Sequence, residues 1–332
     1  MINVALIGCG HWGKNYINTI RNIPNARLKY VYDIKKPDMA LPEGTIFAQD
    51  LKQILEDEEI SGIMVVTPTT THYDLALKII ESGKNILVEK PLTTNSMQAK
   101  ELCEAADRKG IILMVGHIFK YNGAIREIKK RIDEGEIGDL RYIESRRIAL
   151  GPIRQDTSAL WDLITHDVYI ATYLIGKMPY CISCVGKSHN KKVDDIVSLN
   201  IKFPDDIFVT IYANWEHPIK ERKIIIGGTK KAILFDDVEI SNKIVIYDRG
   251  VDYQATGGGF EEFHASIRNG DILIPKLKIG APLDEEIKHF INCIEKKEKP
   301  FTDGYNGLET VRILEAAEES QRNRGKEIEI TF

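Results

Sequence analysis

Short apolar runs alternate with helical patterns through the first 120 residues, and this rhythm limits the possible folds more than any other feature. Each run is rich in Val, Ile and Leu, is nearly continuous, and is too short for a helix. Runs of this kind are typical of strands buried on both faces of a parallel sheet. They lie at 3–8, 28–32, 62–67, 85–88 and 111–115, with helical patterns at 73–82 and 95–109 between them. The alternation predicts a doubly wound α/β domain with a parallel sheet over 1–120.

The pattern changes after about residue 140, where apolar and polar residues alternate with a period of two. The runs 197–203 and 207–215 have this pattern, and Gly227-Gly228 predicts a hairpin between 222–226 and 231–235. We therefore expect a second, α+β domain over 121–332 with an open, mainly antiparallel sheet. Glycines and weak periodicity in 249–283 favour a long, partly ordered flap, with a linker as the alternative.

Two helical patterns close the chain. Ile287, Phe290, Ile291 and Ile294 form one apolar stripe, and a second helix is predicted over 305–324. These final helices are candidates for packing against the first domain. The 332 residues fit two domains of ordinary size.

Composition excludes several classes of protein. A net charge of -4 argues against a nucleic-acid scaffold or a polybasic membrane anchor. No apolar run approaches the ~20 residues that span a bilayer, and the N-terminal segment does not have the pattern of a signal peptide. Five cysteines are too few for a disulfide framework, which favours a reducing, cytoplasmic location. The Cys181–Cys184 pair has no second pair or nearby His to complete a zinc site, so no metal is expected.

A glycine-rich turn follows the first predicted strand. The sequence G-x-G-x-x-G at 8–13 lies between that strand and a helix, and Asp33 ends the second strand. In dinucleotide sites the glycines permit a tight turn and close approach of a pyrophosphate, while the acid binds ribose hydroxyls. Asp33 favours NAD, because a 2′-phosphate would face its carboxylate, although Lys35 and Lys36 leave NADP open.

Two further segments carry polar residues suited to acid–base chemistry. Lys90 follows a strand and precedes Pro91, at the strand end where doubly wound sheets bind ligands. Asp162 and His166 lie four residues apart and would share one helix face, whereas Asp167 is expected to be solvated or structural. Each of these residues, taken alone, is also compatible with an ordinary loop lysine or a core histidine.

Together these segments resemble the Gfo/Idh/MocA family of NAD(P)-dependent sugar oxidoreductases. The resemblance covers nearly the whole chain and rests on five motifs in order: G-C-G-H-W-G-K-N at 8–15, T-P-T-T-T-H at 67–72, E-K-P at 89–91, G-H-I-F-K-Y-N at 116–122 and D-L-I-T-H-D at 162–167. Within the family, the N-W pair at 214–215 and D-I-L-I-P-K-L at 271–277 are similar to the nucleotide-sugar branch.

The resemblance implies a role for each matching residue. The adenine half of the cofactor is assigned to Gly8, Gly10, His11, Trp12, Gly13 and Asp33. The nicotinamide ribose is assigned to Thr67, Pro68, Thr69, His72 and Glu89, with Lys90 at both cofactor and substrate. Lys90 and His166 match the catalytic lysine and histidine, with Asp162 beside them, and His117, Tyr121 and Trp161 fall where substrate contacts are expected.

The implied reaction is transfer of a hydride between a secondary alcohol of a sugar and nicotinamide. The substrate class is a nucleotide sugar such as UDP-N-acetylglucosamine or its glucuronate form, reacting at C3. Arg146, Arg147 and Arg154 are candidates for binding a diphosphate or a uronate, because guanidinium groups match such anions.

Three other functions remain open. They are a free-sugar or inositol dehydrogenase, a glycosidase that uses NAD transiently, and a non-catalytic sensor of sugar or cofactor. The resemblance also implies a homodimer or homotetramer, formed through the antiparallel sheet.

Overall fold

The computed structural model describes residues 1–151, 154, 157–189, 192–255, 263–277 and 280–332. At 253–255 and 263–265 only the backbone is described. Contacts divide the chain into two compact units. Unit 1 comprises Met1–Asn122 and Gly280–Glu315, and unit 2 comprises Gly123–Ile279 and Ala316–Phe332.

Residues 1–122 are fully described and contain one parallel sheet. Its strands are β1 (Ile2–Ile7), β2 (Ala26–Tyr32), β3 (Ile46–Phe47), β4 (Ile60–Val65), β5 (Asn85–Glu89) and β6 (Leu113–Gly116). The helices are α1 (Gly13–Ile20), α2 (Leu51–Leu55), α3 (His72–Glu81) and α4 (Ser96–Lys109). The strand order is β3-β2-β1-β4-β5-β6, which confirms the doubly wound prediction. Each predicted run became a strand, whereas β3 is too short to leave a pattern.

Residues 123–332 supply the remaining elements. The strands are β7 (Leu140–Leu150), β8 (Cys181–Lys187), β9 (Ile196–Lys202), β10 (Phe208–Asn214), β11 (Glu216–Gly228), β12 (Ala232–Asp236), β13 (Ile244–Ala255), β14 (Phe263–Leu273) and β15 (Ile328–Glu329). The helices are α5 (Gly123–Asp133), α6 (Thr165–Ile175), α7 (Pro282–Lys296) and α8 (Gly304–Arg322). A π-helical turn, Leu160–Ile164, leads directly into α6.

The second sheet belongs to unit 2 and is mixed. In the described part of the chain its order is β14-β13-β12-β11-β7-β10-β9-β8-β15. β7 and β10 run parallel, and the other described neighbours run antiparallel. The open, mainly antiparallel sheet and the β11–β12 hairpin are therefore confirmed.

The prediction of a flap over 249–283 is wrong for the residues that the structure describes. β13 and β14 pair as a long antiparallel hairpin, while the Gly257–Gly259 part of the expected flap lies outside the described residues. These strands lack one consistently buried face: Val251 is 40 % exposed and Ile267 79 %. Without such a face, no apolar period of two is imposed on the sequence.

Helix α7 completes the core of unit 1. Leu283, Ile287, Phe290 and Ile291 join one apolar cluster with residues of α1, β1 and β2. Full burial of a side chain of this size contributes about 1.5–3 kcal/mol. No helix among the described residues is long and apolar enough to cross a bilayer.

Candidate active site

The glycines of the β1–α1 turn serve two different purposes. Gly8 has φ 98°, and a Cβ there would lie 2.3 Å from the Val66 carbonyl oxygen. A Cβ on Gly13 would lie 2.1 Å from the Gly8 carbonyl oxygen. A Cβ on Gly10 would meet nothing within 4 Å. The chain's own packing thus requires Gly8 and Gly13, whereas the space at Gly10 is open and suits a closely approaching pyrophosphate.

The surroundings of this turn fit a dinucleotide. Helix α1 has no side-chain cap at Trp12 and no acidic residue in its first turn, so its N-terminus suits an anion. Asp33 Oδ2 accepts a hydrogen bond from Cys9 N at 2.6 Å, and Oδ1 accepts one from Lys35 N at 3.2 Å. The Asp33 carboxylate is therefore fixed beside the glycine turn, where ribose hydroxyls can donate to it.

Glu89 connects the glycine turn with the end of β5. Its Oε1 accepts hydrogen bonds from Trp12 Nε1 at 2.5 Å and Tyr16 Oη at 2.7 Å, and its Oε2 accepts one from Lys90 N at 3.1 Å. Burial raises the pKa of Glu89, while the hydrogen bonds from Tyr16 and Trp12 oppose that rise. The network fixes the backbone that carries Lys90.

His72 joins the carboxyl ends of β4 and β5. The ring is buried; Nδ1 lies 2.9 Å from Pro91 O and Nε2 lies 3.0 Å from Thr67 O. Burial is the main reason why its pKa lies below the usual value. Pro68 and Thr69 begin the short 3₁₀ turn before α3. The structure thus gathers the residues predicted for the nicotinamide side along adjacent strand ends.

His117 and Tyr121 follow β6 and are both buried. Burial lowers the pKa of His117 well below its usual value, with further contributions from Lys120 and Lys90. His117 is therefore neutral and lies within electrostatic range of Lys90. Tyr121 Oη is 3.1 Å from Thr302 Oγ1, and this placement favours a packing role for Tyr121.

His166 lies at the start of α6, directly after the π-helical turn. Its Nδ1 is 2.9 Å from Tyr169 Oη, and the two rings meet edge to face. Asp162, which we expect to orient His166 or Lys90, accepts a contact from Arg154, whose Nη1 lies 3.3 Å from Oδ1. Tyr169 was missed, although its i,i+3 spacing from His166 could have indicated the contact.

Trp161 and the π-helical geometry belong to the same segment. Trp161 is 6 % exposed, and its carbonyl oxygen accepts a hydrogen bond from Thr165 Oγ1 at 2.5 Å. The sequence predicted a helix here but not its wider π turn. Such turns are frequent at functional sites.

The predicted arginine cluster is divided by the sheet. Arg147 Nε donates to Asp167 Oδ2 at 2.7 Å and Nη2 donates to Oδ1 at 3.0 Å, so Arg147 is a buried structural partner rather than an anion ligand. Asp167 is accordingly structural and not solvated. Since side chains alternate along β7, Arg146 projects from the opposite face, away from α6, and pairs with Glu221 at 3.5 Å. Arg154 contacts Asp162, in the segment that leads into His166.

Two family models match the chain. The family model described as "Oxidoreductase family, NAD-binding Rossmann fold" matches residues 2–117. The GFO/IDH/MocA C-terminal domain matches residues 125–234. The chain belongs to the Gfo/Idh/MocA family; it is an oxidoreductase, and its cofactor is NAD.

Characterised relatives are similar over most of their length. The chain is 26 % identical to scyllo-inositol 2-dehydrogenase (NAD(+)) of Bacillus subtilis, over 97 % of this chain and 94 % of the relative. It is 25 % identical to UDP-N-acetylglucosamine 3-dehydrogenase of Acidithiobacillus ferrooxidans, over 78 % and 77 %. A crystal structure of the latter enzyme superimposes with a TM-score of 0.78 at 23 % identity, covering 97 % of this chain and 96 % of that one.

Proposed function

We propose that this protein is an NAD-dependent dehydrogenase of a nucleotide sugar, such as UDP-N-acetylglucosamine or its glucuronate form, acting at C3. The observation that carries the proposal is the ion pair between the half-exposed guanidinium of Arg154 and Asp162, which lies four residues before His166. The His166 ring is oriented by its contact with Tyr169. A guanidinium suits the diphosphate or carboxylate of such a substrate. The similarity to UDP-N-acetylglucosamine 3-dehydrogenase supports this choice.

His166 is proposed as the general base. With Nδ1 donating to Tyr169, Nε2 holds the lone pair that removes the proton from the sugar hydroxyl. Lys90 matches the family's catalytic lysine, and its proposed role is to stabilise the developing alkoxide. Nicotinamide, when bound, supplies the hydride acceptor. The Glu89 network holds the Lys90 backbone in place during this step.

Replacing His166 with Ala tests the base. Base catalysis contributes about 10²–10⁴-fold, so we expect His166→Ala to lose that factor in kcat while its dissociation constant for NADH stays within twofold. Stopped-flow absorbance at the NADH band measures the rate, and fluorescence titration measures the affinity. An unchanged rate would remove His166 from the mechanism.

Replacing Arg154 with Ala tests the substrate class. We expect KM for a UDP-sugar to rise at least tenfold, because one charged contact to the diphosphate or uronate is lost. Reaction of the matching free sugar, where detectable, should change little. Arg146→Ala is the matched control, since Arg146 projects from the other face of the sheet and should leave both constants unchanged. Equal effects of Arg154→Ala on both substrates would contradict the assignment.

A free-sugar or inositol dehydrogenase is the second candidate. It is favoured by the 26 % identity to scyllo-inositol 2-dehydrogenase over nearly the whole chain. A single-turnover measurement of NADH formation with UDP-sugars, free sugars and inositols separates the two. Reduction with UDP-sugars alone supports the first candidate, and reduction with free sugars or inositols supports the second.

We also propose a homo-oligomer that covers the exposed face of the second sheet. Tyr142 on β7 is 43 % exposed and its neighbour Phe208 on β10 is 42 % exposed. Light scattering with the pair Tyr142→Lys and Phe208→Lys would show dissociation if this face is the interface.

A further inference from the structure

A buried acid on α7 takes no part in the functions described so far. Glu286 is fully buried, and among the described residues neither of its carboxyl oxygens has a hydrogen-bond partner of good geometry. Its helix neighbours Ile287 and Phe290 belong to the apolar core of unit 1. A buried carboxyl group in such surroundings is costly unless something requires it.

Glu286 faces Tyr16 and, beyond it, Glu89. Burial raises the pKa of Glu286 well above its usual value, and the negative charge of Glu89 raises it further. Among the described residues, the groups that act on Glu286 are Glu89 and Tyr16, and neither is a cation. Of the elements that pack on α7, α1 carries one cation, the half-buried Lys14. β4 carries no ionisable residue, and in the turn after β6 Lys120 Nζ donates to Asn306. Burial and the neighbouring acid thus both favour the protonated form of Glu286 in the folded protein.

The hydroxyl of Tyr16 has one proton, which it donates to Glu89 Oε1. Its oxygen can still accept a hydrogen bond, and a protonated carboxylic acid on the opposite side is a suitable donor. We propose that Glu286 is a positioning residue of the dinucleotide site: as an uncharged acid it holds the Tyr16 hydroxyl on Glu89, and through Glu89 it fixes the nicotinamide side of the site.

The strand order locates the effect at the nicotinamide side. The order of strands reverses between β1 and β4, and a dinucleotide binds across such a point. Asp33 follows β2 on one side, where the adenosine ribose is bound. On the other side, β5 lies next to β4; Glu89 is its last residue and Lys90 follows it. Loss of the Glu286 contact should therefore disturb the nicotinamide half more than the adenosine half.

Binding measurements with NADH and ADP-ribose test the inference, which rests on the NAD site but not on the identity of the sugar. Both ligands contain adenosine and pyrophosphate, and NADH alone contains the nicotinamide. Four variants are titrated: Glu286→Leu removes the donor, Glu286→Gln replaces it with an uncharged amide donor, and Tyr16→Phe removes the bridge. Glu285→Gln is the control, because Glu285 is the exposed neighbour on the same helix.

We expect Glu286→Leu and Tyr16→Phe to raise the dissociation constant for NADH about tenfold, while that for ADP-ribose changes less than twofold. Glu286→Gln and Glu285→Gln should bind both ligands as the unmodified protein does. Glu286→Leu should melt no lower than the unmodified protein, because an apolar side chain suits its surroundings. This combination of unchanged stability and weaker NADH binding separates positioning from packing.

Three results would overturn the proposal. Normal NADH binding by Glu286→Leu and Tyr16→Phe would leave Glu286 without a role. Equal weakening of both ligands would indicate a structural role. A Glu286→Gln variant as weak as Glu286→Leu would mean that Glu286 acts as a charged carboxylate. None of these results depends on sugar turnover, so the proposed function stands or falls separately.

Discussion

Asp167 in unit 2 and Glu286 in unit 1 are both buried carboxyl groups, and the chain accommodates them in opposite ways. Asp167 receives two hydrogen bonds from Arg147 and one from Ser145 Oγ at 2.8 Å. Glu286 lies instead beside another acid, Glu89, and the phenol of Tyr16. One carboxyl group is paired with a guanidinium, while burial and a neighbouring acid favour the protonated form of the other.

The difference between the two carboxyl groups follows from the role of each in its unit. A bidentate arginine pair is rigid, so Asp167 fixes α6 to β7 next to the His166 segment. A protonated acid can donate a hydrogen bond, which a carboxylate cannot do. Unit 2 thus uses a buried charge to join two elements, and unit 1 uses a buried neutral acid beside its cofactor site.

The largest expected effect comes from breaking the paired carboxylate. Arg147→Met leaves Asp167 buried and uncompensated, which should lower the free energy of unfolding by about 3–5 kcal/mol. Urea unfolding followed by circular dichroism measures the change. The double variant Arg147→Met with Asp167→Leu should recover most of the loss, because a buried pair can often be replaced by apolar side chains. A single variant within about 1 kcal/mol of the unmodified protein would contradict the pairing.

At Glu286 we expect a smaller effect on the free energy of unfolding, and this effect depends on pH. The folded-state pKa of Glu286 is raised, so its contribution is most favourable below the unfolded pKa and is lost as pH rises from there towards the folded value. The Glu286→Gln variant has no side chain that titrates at this position. Its stability relative to the unmodified protein should therefore grow by up to about 1.4 kcal/mol per pH unit above the unfolded pKa.

Urea unfolding of both proteins at three pH values between 5 and 8 measures this difference. Glu285→Gln, which alters an exposed acid, should follow the unmodified protein throughout. A constant difference between Glu286→Gln and the unmodified protein would show that Glu286 is ionised in the folded state.

The smallest effect is expected at Arg146, the neighbour of Arg147 on the other face of β7. Its pair with Glu221 is exposed, and such pairs contribute little. Arg146→Met should change the free energy of unfolding by less than about 0.5 kcal/mol. A loss comparable to that of Arg147→Met would mean that burial does not explain the strength of the Asp167 pair.

Burial explains which parts of the fold the sequence could predict. β1, β4 and β5 are buried on both faces, so each leaves a continuous apolar run. β9 and β10 have one buried face and show clear alternation. β13 and β14 have exposed apolar residues such as Val251 and Ile267, and their sequence looked like a loop for that reason.

The site residues follow a similar rule. Residues that sit at strand ends, such as Asp33 and Lys90, could be predicted because the strand before each is recognisable. The contact between Tyr16 and Glu89, and the approach of Glu286 to both, depend on how α1 and α7 pack, which no local pattern encodes. Likewise, the sequence could not show which of Arg146 and Arg147 faces α6, because that depends on where α6 packs.

The open space at Gly10 bears on how a chain of this kind can change during evolution. Gly8 and Gly13 are held by the backbone itself, so any descendant that still folds must retain them. A Cβ on Gly10 would meet nothing within 4 Å, so a duplicated copy released from catalysis can exchange this glycine without a clash inside the chain. Residue 10 therefore distinguishes descendants that still bind the cofactor from descendants that keep only the fold.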